Sequence, residues 1–255
     1  MKTLFLAWQD PTSRRWFTIG RLTFDEKVYR FVYTRGIQAA QIESNFQPLL
    51  AFPDLHVEYE SEELFPLFSN RLLPRSRPDY AEFVQWLSVP EHENDPMALL
   101  ARSGGQRVTD ALEVFPCPEP DAHGEYHLHF FVHGLSHMPP ASLERAERLQ
   151  PGEPLLLLHD FQNPRDPRAL MMRTSESLPQ DMYLMGYCPR YLLNDIAEEV
   201  TRKNKNQVEI TVERVNSPPA PVQLRILCRM RMRRADEFKP FSGAEYQPLE
   251  LEAVV

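Results

Sequence analysis

Glycine and cysteine are both scarce in this sequence. Nine glycines stand against 24 prolines among 255 residues. Because proline locks φ and lacks a backbone donor, this ratio favours short elements joined by rigid connections. The three cysteines, Cys117, Cys188 and Cys228, are odd in number and far apart. Secreted disulfide frameworks usually have an even, closely spaced set, so we expect reduced thiols and a cytoplasmic protein.

A long hydrophobic run is also missing. The opening residues, MKTLFLAWQD, hold an apolar stretch that is too short for a signal peptide. No later stretch reaches the roughly 18 uncharged apolar residues of a membrane helix, so we expect a soluble chain without membrane contact. The hydrophobic fraction of 42% and the charged fraction of 25% are typical of folded domains. The length allows one large domain or two of ordinary size.

Acidic residues outnumber basic ones, and the formal net charge is −8. Residues 1–123 carry 12 basic and 18 acidic side chains, residues 124–235 carry 15 and 13, and the last twenty residues carry 1 and 5. An acidic first part and an acidic end therefore flank a mildly basic centre. This distribution makes the centre the part that is compatible with a nucleic-acid partner.

Arginines are concentrated in the run CRMRMRR near the end of that centre. If the run is a strand, alternation places Arg229, Arg231 and Arg233 on one face and Met230 and Met232 on the other. Such a stripe is compatible with two structures. It forms either a solvated edge strand or a groove wall that contacts phosphates.

The first part of the chain mixes strands and helices. FLAW, WFTIGRLTF, VYRFVYT and ALEVFP have the aromatic and β-branched content of strands. EELFPLFSNRLL, PDYAEFVQWL and DPMALLAR have the apolar spacing of amphipathic helices, and Asp95 and Pro96 suit the start of the last one. The proline-rich stretch PCPEPDAHGE that follows is a candidate linker.

The second part predicts the order β-α-β-β-β-α-β-β, with one helix over PASLERAERL and another from Pro189 or Arg190 to about Arg202. Mostly antiparallel strands with two helices fit a small closed barrel of the OB-like or SH3-like kind. The fold class is therefore α+β. The predicted division is a mixed strand and helix module over residues 1–116, a linker over 117–124, a β-barrel domain over 125–235 and an acidic C-terminal tail over 236–255.

Four blocks of the second part carry a resemblance to a known family. They are Gly134-Leu135, the strand PGEPLLLLHDF, the loop Asn163-Pro164-Arg165-Asp166 followed by Ala169, and Gly186-Tyr187-Cys188-Pro189-Arg190. In this order and spacing, residues from about 124 to 235 resemble the HIRAN domain. Two places differ from the family pattern. Ser136 and His137 stand where an arginine and an aromatic residue are usual, and Arg165 replaces a tyrosine.

The resemblance implies an OB-like barrel that holds the 3′ end of single-stranded DNA. It implies that Asn163 and Asp166 face the terminal sugar and its 3′-hydroxyl, and that Tyr187 reaches a phosphate or a base. The remaining candidate DNA-binding residues are Arg165, which can stack on a base or pair with a phosphate, His137, which can stack, and Arg190 with the stripe Arg229, Arg231 and Arg233. A simpler interpretation of the loop is a turn, because Asn and Asp bond to their own backbone.

The first part carries a second resemblance. GRLTF, YRFVYTRG, LFPLFSNRLLP and the helix that closes before Gly104 and a strand ending in Pro116 resemble the N-terminal subdomain of HipA-type toxin kinases, over residues from about 1 to 116. In that family the subdomain is not catalytic and contacts the kinase body. The resemblance implies a protein partner for this part, in a toxin–antitoxin or defence setting.

Four histidines, His127, His129, His133 and His137, share the odd positions of one predicted strand and raise the question of zinc. The outer two are separated by roughly 30 Å at about 3.3 Å per residue, so only His127 and His129 could act together. No thiolate or carboxylate pairs obviously with them in the sequence. We therefore predict no metal and no cofactor.

A catalytic site is not evident. Cys188 at a strand-to-helix turn could have a lowered pKa, but it more often is a small packed hydrophobic residue. Asp160, Asp166 and Glu198-Glu199 lack the lysine partner of a metal-dependent nuclease, and no glycine-rich phosphate loop is present. We predict a non-catalytic DNA-binding accessory protein. The alternatives are a protein-interaction adaptor or antitoxin-like partner of a HipA-type kinase and, third, an uncharacterised metal-dependent nuclease.

Overall fold

The computed structural model describes residues 2–107, 109–164, 166, 168–176, 178, 180, 182–192, 208–233 and 239–250. The strands are β1 (Lys2–Gln9), β2 (Trp16–Phe24), β3 (Tyr29–Tyr33), β4 (Tyr59–Ser61), β5 (Leu112–Pro116), β6 (Glu125–Phe131), β7 (Pro154–His159), β8 (Leu170–Thr174), β9 (Leu184–Tyr187), β10 (Val208–Val215) and β11 (Ile226–Arg233). The helices are α1 (Gly36–Ser44), α2 (Pro66–Ser69), α3 (Tyr80–Leu87), α4 (Pro96–Ser103) and α5 (Pro140–Ala146). This mixture confirms the α+β class.

The chain forms two compact units that do not follow the sequence in a simple way. Unit 1 comprises Met1–Tyr80, Val89–Cys117 and Phe241–Val255, and unit 2 comprises Ala81–Ser88 and Pro118–Pro240. The division therefore differs from the linear one that the sequence predicts. Most of α3 lies in unit 2, and the segment that begins at Phe241 lies in unit 1 rather than forming a separate tail.

Unit 1 is built on an antiparallel sheet with the order β4-β3-β2-β1-β5. Its core is aromatic, and Phe31, Phe52 and Phe68 are each at most 1% exposed. The segment that begins at Phe241 returns to this sheet, because Leu249 N donates to Tyr33 O at 2.8 Å. This hydrogen bond attaches to the sheet a stretch that the charge pattern alone predicts to be an acidic tail.

Two helices of unit 1 differ in how well the sequence predicts them. The α4 helix begins as expected, since Asp95 Oδ1 accepts the N–H groups of Met97 (3.0 Å) and Ala98 (3.1 Å), and it ends at Gly104 with φ 70°. The prediction of a long helix over EELFPLFSNRLL is wrong for most of that stretch. Only Pro66–Ser69 is helical there.

Unit 2 contains an antiparallel sheet with the order β6-β11-β10-β7-β8-β9. The sheet curls, and the chain just after β6 meets the end of β9. His133 and Tyr187 exchange two backbone hydrogen bonds, N–H to O, of 3.0 and 2.8 Å. The six strands expected along this part of the chain are present, and α5 confirms the first of its two expected helices. Most of the second expected helix, which runs to about Arg202, lies outside the described residues. The OB-like character of the barrel stays a prediction.

Gly186 makes this closure possible. Its φ of +118° is unfavourable for other residues, and a Cβ at this position would lie 2.5 Å from His133 O. The glycine therefore lets the two chain segments approach closely enough to pair. The consequence for the site is that Tyr187, the next residue, has a fixed backbone position.

Strand β11 shows the alternation that the arginine run predicts. Met230 and Met232 are buried at 0% and 2% exposure, while Arg229 is exposed and Arg231 is half-buried on the other face. Arg233 ends the strand. The Met residues join the core of unit 2, so burial of their side chains fixes which face of β11 carries the charges.

Candidate nucleic-acid interface

The bend between β7 and β8 is held by its own backbone. Asp160 N donates to Ala169 O at 3.0 Å and Ala169 N donates to Asp166 O at 3.0 Å. Within the bend, Asn163 N donates to Asp160 O at 3.1 Å. Pro164 limits the local backbone further because its ring fixes φ. The described residues of the bend are therefore tied to one another by backbone hydrogen bonds.

Polar side chains of the bend stabilise the same shape. Asn163 Oδ1 accepts the N–H of Asp166 at 3.1 Å, and Asp166 Oδ1 accepts the N–H of Arg168 at 3.1 Å. These are Asx-type turns, which are the simple structural role that the sequence allows for Asn163 and Asp166. Asn163 and Asp166 thus stabilise the turn, and their contact with a DNA end stays a prediction.

Tyr187 and Asn163 converge on one carboxylate. The Tyr187 hydroxyl donates to Asp160 Oδ2 at 2.9 Å, and Asn163 Nδ2 donates to the same oxygen at 3.2 Å. Burial, assisted by the hydrogen bond to Asp160, raises the pKa of Tyr187, so the phenol stays protonated at neutral pH. The structure therefore brings together two predicted site residues, through a third that the prediction did not include.

Asp166 and Arg190 form an ion pair under the bend. Arg190 Nε lies 3.0 Å from Asp166 Oδ2, and their side chains are only 20% and 11% exposed. Arg190 lies in the helical turn that comes directly after β9, so the end of β9 sets its position. Arg190 therefore anchors the bend to the end of β9. Arg165, another predicted site residue, lies outside the described residues.

His137 lies in a short 3₁₀ turn, Leu135–His137, that follows β6. The turn begins at Gly134, where φ is +68° and a Cβ would lie 3.2 Å from the ring of Tyr187. The side chain of His137 is exposed. The structure thus places His137, a predicted site residue, on a turn that borders Tyr187.

The arginine stripe on β11 is matched with carboxylates of the neighbouring strands. Arg231 Nη2 lies 2.6 Å from Glu209 Oε2 and Arg231 Nη1 lies 3.5 Å from Glu125 Oε2, while Arg229 Nε lies 3.9 Å from Glu213 Oε2. In the sheet order, β10 and β7 lie between β11 and β8. The side chain of Arg233 lies outside the described residues. The structure therefore groups Arg229 and Arg231 with acidic partners and not with the bend.

Three residues of the bend were not predicted as site residues. Asp160 accepts the hydrogen bonds described above, Phe161 is 79% exposed, and Arg168 is exposed. Their sequence signal is weak, because an acidic, an aromatic and a basic residue in a loop are individually common. The three residues come together only because β7 and β8 pair up to His159 and Leu170. This register puts Asp160, Phe161 and Arg168 in the connection between the two strands.

A carboxylate does accompany the histidines of β6. Asp121 Oδ2 lies 3.0 Å from His127 Nε2, and ligand atoms of Asp121, Glu125 and His127 all lie within 4.8 Å of one another. This corrects the statement that no carboxylate pairs with these histidines. Backbone N–H groups of Glu125 and His123, with the bond to His127, hold the pKa of Asp121 at about 2. The prediction of no metal stays untested.

Cys188 is buried, with 3% of its surface exposed. Burial, with a smaller effect of Cys228, raises the pKa of the Cys188 thiol well above its ordinary value. A thiol in this state is a poor nucleophile at neutral pH. The structure therefore agrees with a small packed residue at this position.

No helix in the part of the chain that the structure describes combines the length and hydrophobicity needed to span a bilayer. A search of curated proteins gave no match. Among solved structures, the chain is similar to a crystal structure of a protein from Lactobacillus plantarum, with 17% sequence identity and a TM-score of 0.32, over 43% of this chain and 97% of that one.

The HipA-type resemblance of residues 1–116, and the protein partner it implies, stay predictions. The family comparison concerns unit 2. The model of the HIRAN domain family matches residues 126–233. This range contains the bend, Tyr187 and Arg190, and the match confirms the resemblance that the four sequence blocks carry.

Proposed function

We propose that unit 2 binds single-stranded DNA and holds a 3′ end at the bend between β7 and β8, as a non-catalytic accessory protein. The observation that carries this proposal is the convergence of Tyr187 and Asn163 on Asp160 Oδ2. The HIRAN match, which includes all three residues, supports DNA as the ligand. The exposed side chains of Phe161 and Arg168 at the same bend add an apolar and a basic contact.

The charges of the bend favour a strand end over an internal nucleotide. Ionised carboxylates accept hydrogen bonds but repel phosphates. A terminal 3′-hydroxyl is a donor without charge, so it is compatible with Asp160, whose contacts with Tyr187 and Asn163 are to neutral groups. An internal nucleotide would instead bring a phosphodiester to the same place. The Asp160 carboxylate therefore supplies discrimination through repulsion as well as attraction.

The proposed binding has a modest electrostatic component. Arg168 is exposed beside the bend, whereas Arg190 is paired with Asp166 and Arg231 is paired with Glu209 and Glu125. Contact with one or two phosphates predicts a slope of about −0.7 to −1.4 in log affinity against log salt. Affinity thus depends on the end contacts more than on total charge.

The test is fluorescence anisotropy with a short, 5′-labelled single strand. Tyr187→Phe removes only the hydroxyl, and we expect about a fivefold to tenfold weaker affinity, as for a lost hydrogen bond of about 1 kcal/mol. Val222→Ala, which changes an exposed apolar residue of unit 2, is the matched control and should bind like the parent. An unchanged affinity for Tyr187→Phe would contradict the site, and absence of binding by the parent would contradict the function.

The non-catalytic part of the proposal has its own support and its own test. Asp160 Oδ2 accepts hydrogen bonds from Tyr187 and Asn163, and Asp166 pairs with Arg190. These contacts disfavour a divalent cation at the two carboxylates, while the second oxygen of Asp160 can still accept a hydroxyl. Labelled DNA incubated with the protein and magnesium or manganese should stay intact. Shortening of the strand would identify a nuclease and overturn this part.

A further inference from the structure

A stacked pair of rings lies at the bend. The rings of Phe161 and His159 have centroids 5.1 Å apart and an interplanar angle of 16°. Phe161 is 79% exposed, and among the phenylalanine, tyrosine and tryptophan side chains that the structure describes it alone is mostly in water. One face of its ring is therefore supported by protein while the rest of the ring is open to solvent.

The pair is placed next to the proposed DNA-end site. Phe161 follows Asp160, which accepts the hydrogen bonds from Tyr187 and Asn163. His159 is the last residue of β7, and Phe161 lies in the turn that follows it. The ring and the polar contacts thus belong to the same turn of chain.

His159 contributes a flat surface to this arrangement. Its Nε2 atom is buried and has no hydrogen-bond partner among the residues that the structure describes. A buried ring nitrogen without a hydrogen-bond partner costs free energy. A hydrogen bond at Nε2 therefore does not account for the presence of a histidine at position 159. Its stacking contact with Phe161 gives the exposed ring a defined orientation.

We infer that Phe161, supported by His159, is a platform on which a base at or next to the DNA end stacks. The inference rests on the proposed function and adds to it a contact with the base, in addition to those with the terminal hydroxyl. Every base has a π face, so stacking of this kind tolerates any sequence. The ligand class is therefore a single strand whose last bases are unpaired.

The experiment uses the full chain and single strands that carry the fluorescent base 2-aminopurine at the 3′ end or at the centre. Stacking on Phe161 should quench the terminal reporter when the parent protein binds. Phe161→Leu keeps apolar bulk without a π face, and we expect about tenfold weaker affinity and loss of the quenching. Phe161→Tyr keeps the ring and should behave like the parent, as should the control Val222→Ala.

The outcomes separate this inference from the proposed function. If the parent binds and Phe161→Leu retains both affinity and quenching, the platform is overturned while DNA-end binding stands. If the parent binds without quenching the terminal reporter, the platform is likewise overturned. If the parent binds no single strand, the proposed function fails and the platform fails with it. Circular dichroism of each variant shows that the fold is intact.

Discussion

Asp160 shows how one side chain can organise several segments of chain. Its carboxylate accepts hydrogen bonds from Tyr187 at the end of β9 and from Asn163 in the bend. Its backbone also pairs with Ala169. Asp166 likewise connects the bend to the residues after β9, through its ion pair with Arg190. The polar residues that the structure describes in the bend are therefore held by one another, and under the proposed function a ligand would meet groups that are already oriented.

The Asp166–Arg190 pair should be energetically coupled. Because both side chains are largely buried, Asp166→Ala removes a carboxylate that pairs with the buried Arg190 charge, and we expect a loss of about 2–3 kcal/mol in the free energy of unfolding. Arg190→Ala should cost a similar amount. The double variant should cost less than the sum of the two, which urea denaturation of all four proteins measures. Additive losses would show that the pair does not hold the bend.

Tight turns between strands depend on aspartates in unit 1. Asp10, after β1, accepts hydrogen bonds from Thr12 N, Ser13 N and Ser13 Oγ, and Asp25, after β2, accepts from Lys27 N, Val28 N and Arg30. The bonds from Ser13 lower the pKa of Asp10 to about 2, and those from Arg30 and the turn backbone do the same for Asp25. These turns therefore favour the ionised side chains.

A pH dependence of stability follows from these two carboxylates. Their pKa values of about 2 in the folded protein lie below the ordinary 3.8, so the stabilisation is complete above about pH 4 and is lost as the pH falls towards 2. Asp10→Ala should have a lower urea midpoint than the parent at pH 7, and the difference should shrink as the pH approaches 2. A difference that is constant over this range would contradict the assigned cause.

The sequence predicted the strands better than the helices, for physical reasons. The strands have strong alternation, and all those expected in unit 2 are present. The α1 helix, Gly36–Ser44, was not predicted, because it has no capping side chain and no acidic residue in its first turn. It owes its helical form to packing, since Ile37 and Ala40 are fully buried. Such tertiary contacts leave no signal in the local sequence pattern.

The candidate site was predicted in part for a related reason. Asn163 and Tyr187 stand in recognisable blocks, so sequence alone placed them together. Asp160 and Phe161 gain their significance only from three-dimensional partners, namely Tyr187 for the first and His159 for the second. The pairing of Arg231 with Glu209 and Glu125 was equally invisible, because cross-strand neighbours are distant in sequence.

The described segment that begins at Phe241 packs against β1 and β5 of unit 1. Phe241 and Tyr246 are buried, and the ring centroid of Tyr246 lies 5.2 Å from that of Phe5 while Phe241 lies 5.3 Å from Phe115. The net negative charge of the last twenty residues predicted a separate acidic tail. Three apolar side chains, Phe241, Tyr246 and Leu249, instead bind this segment to unit 1.

The C-terminal segment should therefore contribute to the stability of unit 1. Tyr246→Ala removes a side chain that is 1% exposed, and we expect a loss of about 3–4 kcal/mol in the free energy of unfolding. Tryptophan fluorescence in a Trp86→Phe background reports on unit 1 through Trp8 and Trp16. Tyr246→Phe, which keeps the ring, is the control. An unchanged urea midpoint for Tyr246→Ala would show that the segment is not part of the fold.

The most direct test of DNA-end binding compares two strands of the same sequence, one with a free 3′-hydroxyl and one with a 3′-phosphate, by anisotropy at one salt concentration. The carboxylate of Asp160 should accept the hydroxyl and repel the phosphate, so we predict at least about tenfold tighter binding of the free end. Equal affinity for the two strands, or preference for the phosphate, would contradict a bend that holds a 3′ end.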